Sequence, residues 1–530
     1  MKAFRFILVF GLAALWLPGC STASRRPPAA SAAVGVRNEA PPSRSQQVCG
    51  DTDAFAHFAA GESCFNNDDA AGALRQWEAA ALADPANETL VIQIARQLLQ
   101  NKENEKALAL LSKSATRPNA SASLMAWLAR AQLHAGHPRQ ALASSKLAIQ
   151  RQPAALDGYE SQVEVFFQQK HWAKAARTLH RAERQVWANP ALLLELGDLY
   201  GLYLRNQPND AEAQTQAIAV YSRLLADFPG PSPMRDRLHK KLADLYVNSN
   251  DRTNAMKELR ALIRDNPTHY PWAWFALGEL ACQNASLDEA AEDFANALHW
   301  DPAIEQAYYD LALVQLDLHK SREAFGTLDQ ARARFPKSFS SEFYTGIIHA
   351  RAKNYPEAIR HFKEAEVIGL ATDPSRLDPR FYFEFGAACE RGHAWKQAEE
   401  YLQKCVTLAP DFAEALNYLG YMLADLGRQL PRARLLIEKA VSLEPRNGAY
   451  LDSLGWVLFK LNQPHQALPQ LLKAIQCTPE PDATVLDHLG EVYLALHQTG
   501  KAVEAWKKSY SLDPNEDVKH KLERSSGGSL

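Results

Sequence analysis

Residues 271–304 read PWAWFALGELACQNASLDEAAEDFANALHWDPAI, and this stretch decides the fold. Numbered from Pro271, it places Trp274, Leu277, Gly278, Ala290, Phe294, Ala297 and Pro302 at positions 4, 7, 8, 20, 24, 27 and 32. Apolar residues at helical spacing fill roughly the first twelve positions, a polar turn follows, and a second apolar stripe ends at the Pro, which cannot continue a helix. Small residues at 8, 20 and 27 let the two helices approach closely. One such hairpin cannot bury its own apolar faces, so it needs neighbours of the same kind.

The neighbours are there. The same frame restarts at 54, 88, 122, 156, 190, 236, 271, 305, 339, 379, 413, 448 and 483, giving thirteen units over about residues 54–516. Most spacings are 34 or 35, and, allowing for the extra residues between the helices of the units at 190 and 413, the small residue at position 20 is Ala in every unit, from Ala73 through Ala324 to Ala502. The second and fourth units are the least typical, with Ala95 and Leu111, and Val163 and Leu179, at positions 8 and 24.

This pattern resembles the tetratricopeptide repeat family. The resemblance implies an all-α, right-handed superhelical solenoid of about thirteen helix-turn-helix repeats. The stretch Leu416–Trp506, with LNYLGYMLAD, AYLDSLGWVLFK, LDHLGEVY and AVEAW, resembles more narrowly the C-terminal repeats of bacterial outer-membrane tetratricopeptide lipoproteins.

Two spacings are long. From 190 to 236 the surplus lies near Asn206–Gln216 and in Pro229-Gly230-Pro231-Ser232-Pro233, where a non-helical link should perturb stacking. The expected division is a five-repeat array over 51–230 and an eight-repeat array over 231–516. The second surplus is Gly369–Asp378. Residues 517–530 read as a capping helix, covering the last apolar face, and a tail.

Ahead of the repeats, Lys2 and Arg5 precede the apolar run Phe6–Leu17 and the sequence Leu17-Pro18-Gly19-Cys20. Twelve residues are too few to span a membrane that needs about twenty, so residues 1–19 read as an export signal. Its end resembles a bacterial lipoprotein box with Cys20 as the lipidated residue, although Pro18 stands where Ala or Ser is usual. Ser21 after the Cys favours, by the same resemblance, the periplasmic face of the outer membrane. Residues 20–50, with four Pro and no apolar period, read as the lipidated Cys and a tether.

With a formal net charge of −3, the chain lacks the basic excess of a nucleic-acid binder. No His-Glu-x-x-His pair, Gly-rich phosphate loop or Gly-x-Ser-x-Gly elbow interrupts the repeats, so neither metal, cofactor nor small-molecule substrate is expected. Six Cys besides Cys20 include no CxxC pair. In an oxidising compartment Cys49 and Cys64 either pair, pinning the tether to the first repeat, or remain two thiols. Cys389 and Cys405, at positions 11 and 27 of one unit, read as core residues.

By family resemblance, positions 2, 5, 9, 12 and 13 of the first helices line a concave groove that holds partners. Position 5 is aromatic at Phe275, Tyr309, Phe343 and Phe383, and position 9 is apolar at Leu313, Ile347, Ala387, Tyr421 and Trp456, with Phe459 at a position 12. Either these residues form an exposed apolar stripe for a partner, or they pack against the neighbouring first helix. Position 9 is never Asn, which disfavours the carboxylate clamp of some family members. The expected function is a non-catalytic scaffold for envelope proteins or peptides, with three routes open by resemblance: presenting substrates to a periplasmic protease, polysaccharide export, and outer-membrane assembly. An enzyme or haem-handling protein would need clustered ligands that this reading does not supply.

Overall fold

The computed structural model describes residues 47–525 apart from 188, 267, 479 and 481. The export segment, Cys20 and the tether to residue 46 lie outside the described residues, as does the tail from 526. The chain forms two compact units that divide at Ala273/Trp274.

In the first unit the helices pair in chain order: α1 (Gln47–Asn66) with α2 (Ala70–Ala83), α3 (Glu88–Gln100) with α4 (Asn104–Ala115), α5 (Ala122–His134) with α6 (Pro138–Arg151), α7 (Asp157–Gln168) with α8 (Trp172–Val186), α9 (Pro190–Asn206) with α10 (Ala211–Leu225), and α11 (Pro233–Asn248) with α12 (Arg252–Asp265). The second unit takes up within α13 (Pro271–Gln283), paired with α14 (Leu287–Trp300), and continues with α15 (Glu305–Asp317) and α16 (Ser321–Arg334), α17 (Phe339–Arg351) and α18 (Tyr355–Thr372), α19 (Pro379–Arg391) and α20 (Trp395–Leu408), α21 (Ala413–Asp425) and α22 (Leu430–Leu443), α23 (Gly448–Lys460) and α24 (Pro464–Cys477), and α25 (Ala483–Ala495) and α26 (Thr499–Leu512), before α27 (Glu516–Ser525). These are the thirteen hairpins expected, plus a cap, in an all-α repeat solenoid without strands among the described residues. The atypical second and fourth repeats form the same pairs, and Val163 and Leu179 are fully buried.

Each hairpin closes where the small positions meet a large one. A Cβ on Gly278 would lie 2.6 Å from the Phe294 ring, and one on Gly490 would lie 2.4 Å from Trp506, so no larger residue fits without displacing the partner helix. Ala290, Ala324 and Ala502 at position 20 are all completely buried. The turn between the helices follows one rule. Position 15 has a left-handed backbone at Gly136 and Gly427, but also at Asp68, Lys102, Lys170, Asn250, Ala285, His319, Lys353, His393, Asn462 and His497.

The long spacings are absorbed differently from what the sequence suggested. α9 extends to 17 residues, so most of the surplus near Asn206–Gln216 lengthens helices and the turn remains short. Pro229–Pro233 does not interrupt the core: Tyr221 and Leu224 share one buried cluster with Leu238 and Leu242. Pro233 occupies the first turn of α11, where its missing N–H costs nothing, and the Ser232 side chain caps the Arg235 N–H at 3.2 Å. In the other surplus α18 runs on to Thr372 and a short 3₁₀ turn, Pro374–Arg376, follows.

The pairing of Cys49 and Cys64 is excluded by the helix that carries both. They stand fifteen residues apart in α1, about 22 Å at 1.5 Å rise per residue, and a disulfide needs Cα atoms within about 7 Å. Cys64 is a free thiol. Cys389 and Cys405 are fully buried, and burial pushes each thiol up to about 12. At the end of the chain Val518 and Leu522 of α27 cover Ala502 and Trp506, so the last repeat is capped. Among the described residues no helix is long and apolar enough to cross a membrane.

Candidate functional site

The first helices of successive repeats pack side by side, and the two units join them by different chemistry. In the first unit the seam is polar. Arg130, at position 9 of α5 and 9 % exposed, meets Glu160 at 2.5 Å and Glu164 at 3.1 Å on α7, and its guanidinium lies 4.6 Å from the Trp127 ring centre. Asp198 of α9 accepts from the Tyr221 hydroxyl at 2.9 Å and pairs with Arg237 and Lys241 of α11 at 2.8 and 3.0 Å.

In the second unit the same seam is aromatic and apolar. Tyr309 is fully buried, stacks on Tyr344 of the next first helix at 4.7 Å, and donates to Glu305 at 2.7 Å. Phe343 sits among Phe339, Phe362 and Phe381 with ring centres 5.7–5.9 Å away. Phe383 meets Phe412 and Tyr418 at 5.4 and 5.6 Å. Trp456 is 9 % exposed, with His488 stacked on it at 4.0 Å and Phe459 at 5.4 Å.

This geometry corrects the partner stripe. Tyr309, Leu313, Phe343, Ile347, Phe383 and Trp456 are buried members of one core cluster, and an apolar side chain at position 5 or 9 drops into the seam with the adjacent first helix. Phe275, packed on Phe294 at 5.6 Å, is half-buried, and so are Tyr421 and Phe459. These three remain partly exposed.

Sequence reasoning missed the buried polar pairs that lock the two helices of a repeat at positions 4 and 23. His239 meets Glu258 at 2.6 Å, and Glu342 meets His361 at 2.5 Å. A comparison of those two columns would have found them. Glu342, His361 and Glu364 place ligand atoms within 4.8 Å of one another, a set able to hold a metal ion. Arg360 already occupies that space, 2.8 Å from the second His361 nitrogen and 2.7 Å from Glu364, with Arg332 3.9 Å from Glu342. A cation would have to displace it.

A second unforeseen feature is a set of carboxyls that burial holds well above the usual carboxylate range. Burial pushes Glu279 up to about 7, and does the same for Glu414 with help from Glu384. Asp310 is 2 % exposed; burial, reinforced by Glu279, outweighs the Gln306 hydrogen bond and raises it to about 7. A carboxyl raised in the fold retains a proton that the unfolded chain releases. Its contribution is therefore complete below about pH 4 and is lost as pH rises through 7. Asp310→Asn should raise the melting temperature relative to the parent at pH 8 by an amount worth on the order of 1–3 kcal/mol, and by much less at pH 4.5. Thermal melts of both proteins at the two pH values check this.

Residues 240–303 and 309–375 match the tetratricopeptide repeat family. No curated protein matches the chain. Among solved structures it is similar to yeast Tom70, at 15 % identity over 83 % of this chain and 95 % of that one, with a TM-score of 0.36. The structure of YrrB, described as a TPR protein with an unusual peptide-binding site, is 21 % identical over 40 % of this chain and 99 % of its own, with a TM-score of 0.31. The matched segments are tetratricopeptide repeats, and the same helix-pair frame recurs from α1 to α26.

Proposed function

We propose that the chain is a non-catalytic scaffold of the bacterial envelope, anchored through lipidated Cys20 to the periplasmic face of the outer membrane, and that its first helices capture protein or peptide partners. The observation that carries this reading is the array itself. Among the described residues every helix belongs to a repeat pair or to the cap, and repeat arrays present long surfaces whose role is contact. The run Lys2–Cys20 supports the envelope setting. Presentation of substrates to a periplasmic protease is the finer reading we favour, with polysaccharide export and outer-membrane assembly as alternatives.

Two acyl anchors hold a protein stably on a bilayer where one does not. The parent protein should therefore fractionate with membranes, while Cys20→Ser should move to the soluble fraction or accumulate as an uncleaved precursor. A parent protein that stays soluble with Cys20 intact rules out the anchor. Crosslinking in envelope membranes, followed by identification of what is captured, tests the scaffold role separately.

A further inference from the structure

We infer that the cleft between α21, α23, α25 and α27 binds a Lys or Arg side chain of a partner peptide. The proposal rests on the scaffold reading and adds the chemistry of the partner. The cleft measures about 500 Å³, within the roughly 300–1,000 Å³ usual for ligand sites. It is lined by four carboxylates, Asp425, Asp487, Asp513 and Asp517, against two permanent cations, Lys521 and Arg524, an excess of two negative charges.

One of those cations is already committed. Lys521 lies 2.7 Å from both Asp487 and Glu491, so a single ammonium faces two carboxylates. The acidic side of the cleft is open at Asp425 on α21 and Asp517 on α27. Trp456, nine-tenths buried, lines the same cleft. His488 covers one part of its ring at 4.0 Å, Lys460 lies 4.6 Å over it, and its indole N–H has no hydrogen-bond partner. A buried N–H without an acceptor is a cost that a bound carbonyl would remove. A bound peptide supplies the missing carbonyl from its main chain, while its cationic side chain enters beside Tyr421.

Tyr421 supports the sign of the ligand. Burial first, and then Asp452, Asp425, Glu390 and Asp487, all work to keep its hydroxyl protonated, which is the signature of a negative local field. A cation gains from that field and from the aromatic surroundings, and an acidic peptide is repelled.

The test is fluorescence anisotropy on the full chain with three labelled octapeptides that differ only at two central positions: Arg, citrulline or Glu. The Arg peptide should bind about tenfold more tightly than the citrulline peptide, the Glu peptide should be weakest, and the Arg affinity should fall several-fold between about 0.05 and 0.5 M NaCl. Asp425→Asn with Asp517→Asn should abolish the preference for Arg while leaving the melting temperature unchanged. Equal or tighter binding of the Glu peptide, or full retention of the Arg preference in the double variant, overturns the proposal. Envelope crosslinking of parent and variant separates the two levels. Partner capture by both, without any Arg preference, removes the cation site and leaves the scaffold standing. No captured partner in the parent removes the scaffold reading itself.

Discussion

Ala290→Glu should open the repeat formed by α13 and α14 before any other part of the second unit. Ala290 is completely buried, and Phe294, one turn on, packs against Gly278 of the partner helix. A carboxylate there has neither water nor a cation, and the expected loss is about 3–5 kcal/mol. Each repeat contacts only its neighbours, so the damage should reach α15 and α16 before α21 to α26. Hydrogen exchange on the intact protein reads this order directly. Uniform loss of protection across 274–525 would mean that the unit melts as one body.

Tyr421→Ala combined with Trp456→Ala should behave as a core lesion. The side chain of Trp456 is packed between His488 and Phe459, and truncating an aromatic in such surroundings costs about 3–5 kcal/mol. Melting should drop by several degrees, and binding of the Arg peptide should fall further than the folded fraction, because Tyr421 and Trp456 also line the cleft. A double variant that keeps its melting temperature and loses capture would mean that these residues act in the cleft alone and carry no weight in the core. An unchanged capture would direct attention to α1, where Phe55, Phe58 and Phe65 are 76 %, 41 % and 57 % exposed along one stripe.

The helix pairs were legible because their cause is local. A Gly or Ala at position 8 facing a large residue at 24, as with Gly278 and Phe294, is a steric rule stated within a single repeat, and most repeats obey it. The fate of positions 5 and 9 was not legible, since it is decided by the next repeat. Tyr309 is buried because Tyr344 lies against it, and nothing within residues 305–338 announces that. The Pro-rich link misled for a related reason: Pro233 breaks a helix from inside but starts one at its first turn. Cys49 looked like part of the tether, yet no Pro separates Gln47 from the first repeat, and α1 simply begins early. The raised carboxyls and the Arg130 network are likewise products of neighbour packing.

The left-handed turn residues have a wider consequence. Only Gly136 and Gly427 adopt that conformation freely, and each of the ten other side chains at position 15 works against it by roughly 1 kcal/mol. The tension is spread along the array, about one increment per repeat, and each increment sits at the hinge of its own hairpin. The array thus has a graded compliance. It can yield at one turn while its neighbours hold, and lineages could tune that softness one residue at a time without touching the core.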